Sequence, residues 1–572
     1  MKAHFYALVI GLSLTLSGQA LAEKFDSFQA HQVEVGDPGH SGEKLYNTLC
    51  ASCHHEKRIG LSGPPLLPEF LRRKTPQQIE KIILEGLPST LMPAFPQLDK
   101  KQTSALIAYM HHPGDYQWSE KDIIHSLTSI QREAKKLNFK SIRNITPVVE
   151  RDANKVWVME NEKVLDKFTV NNVHGGIKYT TSGNDFFVPS RDGWVTKYSL
   201  QQGKPTNKVR ACVYLRNISV SRDNRYLFAT CRLPQQLVTF NASDLTLVDT
   251  QPLEGKISAL YELYSDDKAI FTYRDRALLG ILDTKTRKIN YETLDAPIED
   301  FFIDPFDRYL IGTSRRGTQL QIYDLQTNKV VFEQKIEGMP HLFSATYWYQ
   351  DGNFYFATPH MNKPYITVWK MYDWKFIKKV NIGGDGFFVK THPATPWLWI
   401  DNGSDELVLI NKKDFSEKRI KPVPGKKFNH TEFSGDGRYT YLSIYENDGA
   451  LLVYNTDTFE ELKNYPANMP IGKYNFVNKN RVFYREQFGM SIFVEKCWGC
   501  HHQTAQAFGP SFQEIADKRN NGEIIGHISD PASSAKRLGY SRSLMPDFKL
   551  DQQELLSIVE YINHFKSKPT AH

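Results

Sequence analysis

No stretch of the chain reaches 18 consecutive apolar residues, so nothing in it reads as a membrane-spanning helix. A large excess of one charge is also missing. Against 71 Lys and Arg stand 64 Asp and Glu, a formal +7 over 572 residues. That balance permits an acidic protein partner and gives no argument for nucleic acid. Helical periodicity is scarce through the long middle of the chain. Cysteine is rare, six residues in all, so each position carries weight. What is present, 40% hydrophobic and 24% charged residues, is an ordinary globular composition that excludes wholesale disorder and collagen-like structure. The length suggests about two to four domains.

The first residues read as an export leader. Lys2 supplies a positive start, an apolar run follows from Ala7 to Leu16, and Ala20-Leu21-Ala22 is a small-residue cleavage site, with the cut expected after Ala22. The run is too short to cross a membrane as a helix. The expected location is the periplasm.

Four of the six cysteines form two pairs. Cys50 and Cys53 precede His54, and Cys497 and Cys500 precede His501. Both are C-x-x-C-H, the attachment pattern of a covalent c-type haem. Two thiols bond to the porphyrin edge, and the adjacent histidine is placed beneath the iron. A lone C-x-x-C could be a redox dithiol or half a zinc site; the following histidine, the leader and the duplication argue against both. Each motif is followed by Gly-Pro and then by a Leu-Met-Pro-x-Phe phrase, at Met92 and Met545, lying 38 residues after His54 and 44 after His501. A thioether is a soft axial ligand suited to electron transfer. Helical patterns close both ends, from Lys101 to His111 and from Gln552 to His564. Residues 40–113 and 484–568 resemble small class I cytochrome c domains. With both axial positions filled, such haems carry electrons rather than bind substrate. His55 and His502 read as surface residues. Cys212 and Cys231 remain, and they form either a disulfide or small core residues.

Between these ends, strand-like phrases recur at Trp157, Phe187, Leu227, Ile270, Leu310, Tyr355, Leu398 and Thr440. From the second onward the period is about 40–45 residues, which suggests β-propeller blades. Eight phrases predict eight blades; the short first interval leaves seven open. The expected organisation is a leader over 1–22, a cytochrome c domain over 40–113, a helical linker over 114–144 with its helix from Ser119 to Lys136, an eight-bladed propeller over 145–480, and a second cytochrome c domain over 484–568. The fold class is a β-propeller flanked by two small all-α domains.

Four phrases in the middle carry a resemblance: Val173-His174 leading to Ser190-Arg191-Asp192-Gly193; Ala357 to Met361 with His360; Gly383 to Pro393 with His392; and Glu432 to Gly437. Their order and spacing resemble the d1-haem propeller of cytochrome cd1 nitrite reductases and their relatives in d1-haem maturation. The resemblance implies a non-covalent haem d1, or its precursor, in the propeller channel. It implies His174 as the iron ligand, with Lys178 and Arg191 as partners of the macrocycle's carboxylates; Arg216, Tyr273 and Arg274 are weaker candidates for the pocket. On the distal side nitrite reductases of this family use two histidines. His392 matches the second, and Tyr349 stands where the first is found, a poorer proton donor by its ordinary pKa. His341, eight residues before Tyr349, is a substitute for the first if its loop folds back, and His360 and His430 are further candidates that read more readily as structural. His392 is therefore expected to move protons, and Tyr349 to orient a ligand. A cytochrome c ahead of the propeller is the family's arrangement; a second one after it is a departure.

Three functions follow from this reading. The first is dehydrogenation of a dihydro-haem d1 precursor, as in d1-haem maturation. The second is reduction of nitrite or another small oxyanion, and the third is electron carriage by the two c haems without catalysis. Expected partners are small periplasmic electron-transfer proteins, cytochrome c or cupredoxin, with a homodimer left open.

Overall fold

The structure is a computed structural model. It describes residues 39–567, apart from 73, 88–91, 115, 174, 264–265, 315–318 and 481–483. The leader and His174 therefore lie outside the described residues. The chain divides into two compact units, Met1–Trp118 and Ser119–His572. Among the described residues, no helix is long and apolar enough to cross a membrane.

The smaller unit is helical, and its helices begin where the sequence supplies caps. Pro76–Glu85 starts on a Thr75/Gln78 capping box with proline in the first turn, and Lys100–His111 on an Asp99/Gln102 box. Ile79 and Ile83, one turn apart, face Leu106, Ile107 and Met110, and Tyr46 from Gly39–Leu49 completes the core.

The larger unit holds eight β-sheets, each built on a four-strand antiparallel path. Each of the eight phrases found in the sequence lies in a different sheet. The first occupies a different place from the others. In the later blades the phrase forms the second strand from the channel, whereas Lys155–Glu160 is the third strand of its blade. The innermost strand there is Pro470–Lys473, from the far end of the propeller, paired antiparallel with Ile145–Glu150. Ring closure by the last strand displaces the first phrase by one strand. This accounts for the short first interval, and the blade count is eight.

The expected linker helix is corrected. It covers only Glu120–Ser126, capped by Ser119. Beyond it the chain is extended, and Thr128–Ser129 pairs with Lys208 and Asn207 on the outer strand of a blade. That edge offers unpaired backbone groups, and they take the segment as a fifth strand. Cys212 and Cys231 are joined as a disulfide.

The second helical domain runs from Tyr484–Ile492 through Gln552–Asn563. Among the described residues its core is continuous with that of the propeller. Phe488, Ile492 and Phe493 pack in one buried cluster with Phe354, Phe356 and Trp369 of the propeller. Each buried side chain of this size contributes about 1.5–3 kcal/mol, so the domain is docked rather than tethered. Arg143 clasps Glu486 with both guanidinium nitrogens, Nη1 to Oε2 at 2.9 Å.

Candidate functional site

The two C-x-x-C-H motifs fold alike. Ala51–His54 is a single helical turn in which His54 N–H donates to the Cys50 carbonyl at 2.9 Å; His501 N–H does the same to Cys497 at 3.0 Å. The loop behind each returns through a glycine, with Gly63 N–H bonded to the Cys53 carbonyl at 2.8 Å and Gly509 N–H to that of Cys500 at 2.7 Å. A Cβ on either glycine would lie 2.5 Å from the ring of His54 or His501. Only glycine lets the backbone pass so close. The next residue in each loop is a proline whose carbonyl receives the histidine Nδ1–H, Pro64 at 2.7 Å and Pro510 at 2.7 Å. A carbonyl can only accept, so Nδ1 carries the proton and Nε2 keeps its lone pair for a metal.

The donor set and its surroundings fit a c-type haem. Cys50, Cys53, Cys497 and Cys500 are free thiols rather than disulfides. Met92 and Met545 are half-buried, and Met545 packs with Cys497 against the second domain's core. Trp498, Phe508 and Leu544, each next in sequence to one of these haem-site residues, are 57%, 72% and 58% exposed. Exposed apolar side chains beside a haem-attachment motif are of the kind a porphyrin face covers.

The third site is a cavity of about 500 Å³ at the mouth of the propeller channel. Innermost strands supply its inner wall, including Lys178, Tyr261 and Lys390, and the second helical domain supplies Gln487, Phe488, Ser491, Val494 and Glu495. The inner wall is basic. Burial and neighbouring Lys479 bring Lys390 down to about 8, and burial brings Lys412 to about 7. Ammonium groups held this close to neutrality gain most from an anionic ligand. Lys479 is the exception: burial would lower it, but Glu432, 3.4 Å away, together with Tyr474 and its hydrogen bonds holds it above the usual range.

Lys178 lines this cavity and also pairs with Glu262 at 2.9 Å. Burial alone would raise Glu262; Lys178 and the Ser219 hydroxyl outweigh it and keep the carboxyl below its ordinary range. Arg216 does not line the cavity. Its Nε donates to the Ser258 carbonyl, and its guanidinium lies 5.4 Å from the ring of Phe343, which does line it. Arg191 lies in the turn between Asp185–Pro189 and Trp194–Ser199, its backbone N–H bonded to the Asn172 carbonyl at 3.0 Å.

His392 lines the cavity, but the state expected from its ordinary pKa is corrected. Burial pushes it down to about 4, and Lys412 adds to this against the pull of Asp436. Its Nδ1 accepts the Ala394 N–H at 3.2 Å. The ring is neutral at pH 7 and held by backbone. Tyr349 is redirected too. Its ring borders the cavity, but its hydroxyl donates to Glu554 in the second helical domain instead of facing a ligand. Burial and that carboxylate raise the phenol's pKa, so it stays a donor.

The remaining histidines are engaged elsewhere. His341 Nδ1 meets Asp300 at 2.9 Å. His360 bonds the Glu337 carbonyl at 3.0 Å and the Thr367 hydroxyl at 2.9 Å. His430 is buried against Phe388, and burial and the nearby lysines hold it far below its ordinary pKa. Sequence reasoning missed Lys390 and Lys412. Lys390 was within reach, because it stands two residues before His392 in the phrase that carried the resemblance.

Comparison with known proteins agrees with this division. Residues 140–479 match the family model described as the cytochrome D1 heme domain. Residues 37–110 match that of cytochrome C oxidase, cbb3-type, subunit III, and residues 487–566 that of cytochrome c. The dihydro-heme d1 dehydrogenase of Pseudomonas aeruginosa is 36% identical over 501 residues, spanning 82% of this chain and 98% of that protein. Protein NirF of the same organism is 22% identical over 333 residues, 52% of this chain and 81% of its own. The solved structure of dihydro-heme d1 dehydrogenase NirN in complex with DHE superposes with a TM-score of 0.73 at 35% identity, covering 77% of this chain and all of that one.

Proposed function

The chain belongs to the cytochrome D1 heme-domain family, and on that premise we propose that it is a dihydro-haem d1 dehydrogenase-like oxidoreductase. The observation that carries this reading is the basic cavity at the channel mouth, together with the likeness along almost the whole length of a dehydrogenase. The propeller takes a d1-type haem or its dihydro precursor, and the two class I-type, all-α cytochrome domains carry covalent haem c through Cys50, Cys53, Cys497 and Cys500. His54 and His501 are the proximal ligands, and Met92 and Met545 the distal ones. His174 is the residue assigned to the d1 iron.

Dehydrogenation removes two protons and two electrons from the macrocycle. When bound, the two c haems supply two one-electron acceptors. The chain's own residues do the rest. Lys178, Lys390 and Lys479 hold the carboxylates, with Arg191 and Arg216 as further basic groups of the propeller. Lys412, brought to about 7 by burial, is the cavity amine nearest to a free base at neutral pH; it receives one proton, and the second leaves to solvent. His392, neutral and backbone-held, positions the ligand. Engagement of Tyr349 by Glu554 removes it as a distal acid, which favours dehydrogenation over nitrite reduction. The disulfide and the C-x-x-C-H motifs support a periplasmic location, with the leader cut after Ala22. A small cytochrome c or cupredoxin takes the electrons onward.

The test is anaerobic single turnover of dihydro-haem d1 without added acceptor. One macrocycle oxidised for every two c haems reduced is the expected result. Brisk nitrite reduction with no dehydrogenation would overturn the reading.

A further inference from the structure

The cavity is not closed by the propeller alone. Gln487, Phe488, Ser491, Val494 and Glu495 belong to the second cytochrome domain and form its outer wall. This wall is held in place at three points. The Phe488 ring packs 4.8 Å from Phe354 and 4.9 Å from Tyr349, the Tyr349 hydroxyl bonds Glu554, and Arg143 pairs with Glu486 in a buried bidentate contact. Val494 is 41% exposed, in a domain whose neighbouring Phe493 is fully buried. Val494 and Glu495 lie on the same helical stretch, Phe493–Cys497, that ends at the first haem-attachment cysteine. Wall and attachment site are therefore one element.

We infer that the substrate site is completed by the second cytochrome domain. Phe488 and Val494, flanked by the polar Gln487, Ser491 and Glu495, form an outer wall that decides which macrocycles are retained, and that holds them beside the domain's own haem c position. The inner wall, with its lysines, binds charge; the outer wall covers a face with Phe488 and Val494 and carries no cation among its lining residues. This rests on the reading of the cavity as a macrocycle site. It adds residues outside the d1-type propeller to that site, and it gives the extra domain a role in recognition as well as in electron transfer.

The test uses the full holoprotein with both c haems attached, and ferric haem d1 as probe. Binding should slow amide exchange in residues 484–497 at least tenfold. Val494→Trp fills the cavity from a position already exposed, so it leaves the fold intact; it should weaken haem d1 binding at least tenfold while covalent haem content stays at two per chain. Phe488→Ala opens the wall and should speed release at least tenfold. Unchanged exchange over 484–497 on binding, together with wild-type affinity in Val494→Trp, overturns the inference whatever Phe488→Ala does. Dehydrogenation is scored separately. A chain that binds and responds at the wall but never oxidises the dihydro precursor keeps this inference and loses the dehydrogenase reading. One that oxidises it with an indifferent wall does the reverse. A wild-type chain that binds neither macrocycle overturns both.

Discussion

At residues 50–64 and again at 497–510, three contacts recur: a glycine N–H to the second cysteine's carbonyl, a glycine pressed against the histidine ring, and a proline carbonyl on histidine Nδ1. Both domains also share the methionine phrase and a closing helix, but they differ in what they pack against. The first domain closes on a core of its own around Tyr46 and Leu106. The second shares its core with a propeller blade and forms the outer wall of the cavity. Local sequence dictates the haem cradle, because every contact in it spans about ten residues. What surrounds the cradle decides whether a cytochrome domain is only a carrier or part of a binding site.

The comparison breaks most visibly if the haems are removed one at a time. Replacing Cys497 and Cys500 by serine should lower the intact mass by one haem and also lower the melting transition of the propeller, read by near-ultraviolet circular dichroism. Replacing Cys50 and Cys53 should cost one haem as well, the loss falling on a domain with a separate core. Equal effects on the propeller signal would mean that the shared core does not transmit stability.

Acid should act strongly on the larger unit. His392 and His360 titrate near 4 in the fold, burial being the main cause in both, against about 6.5 unfolded. The unfolded chain therefore binds protons first as pH falls. Stability is full above about 6.5 and is lost between there and 4, by at most about 3 kcal/mol for each histidine. Denaturant midpoints measured from pH 7 to pH 4 check this; a flat profile would mean that neither ring is buried neutral.

Docking of the second domain is tested at Arg143. Burial raises the Glu486 carboxyl, and Arg143 opposes that. Arg143→Ala leaves the carboxylate buried without this partner and should cost about 3–5 kcal/mol. Smaller again is the cradle itself. Gly63→Ala and Gly509→Ala each press a methyl group against a histidine ring and should cost about 1–3 kcal/mol, with a shifted haem spectrum in the altered domain only. Similar shifts from both would support a common cradle.

How much of this was legible beforehand follows from the range of each contact. The haem motifs, their methionines and the eight-fold strand period are local or periodic, and the sequence displays them. Ring closure was hidden, because Pro470–Lys473 pairs with a strand more than 300 residues away. The linker helix was misjudged past Ser126, since a blade edge competes for that segment and no local pattern announces it. At the cavity, Lys178 and His392 were found through resemblance to a family. His392's charge state and Tyr349's direction were not, because both depend on burial and on a domain that the family pattern does not include.

Tyr349 carries the smallest effect and the sharpest distinction. Tyr349→Phe keeps the ring packed 5.1 Å from Phe354 and edge-on 4.9 Å from Phe488, so no cavity opens. Only the hydroxyl is lost, and Glu554 keeps the Asp551 N–H at 2.8 Å on its other oxygen. The cost should therefore fall near the low end for a hydrogen bond to a charged group, about 1.5 kcal/mol. A double-mutant cycle with Glu554→Gln should return most of that as coupling, because the two side chains meet across the domain interface. The absorption of haem d1 bound to Tyr349→Phe should match the wild type, since the phenol points away from the ligand. An altered spectrum with no coupling to Glu554 would turn Tyr349 back toward the macrocycle, and with it the outer wall would lose one of its three fastenings.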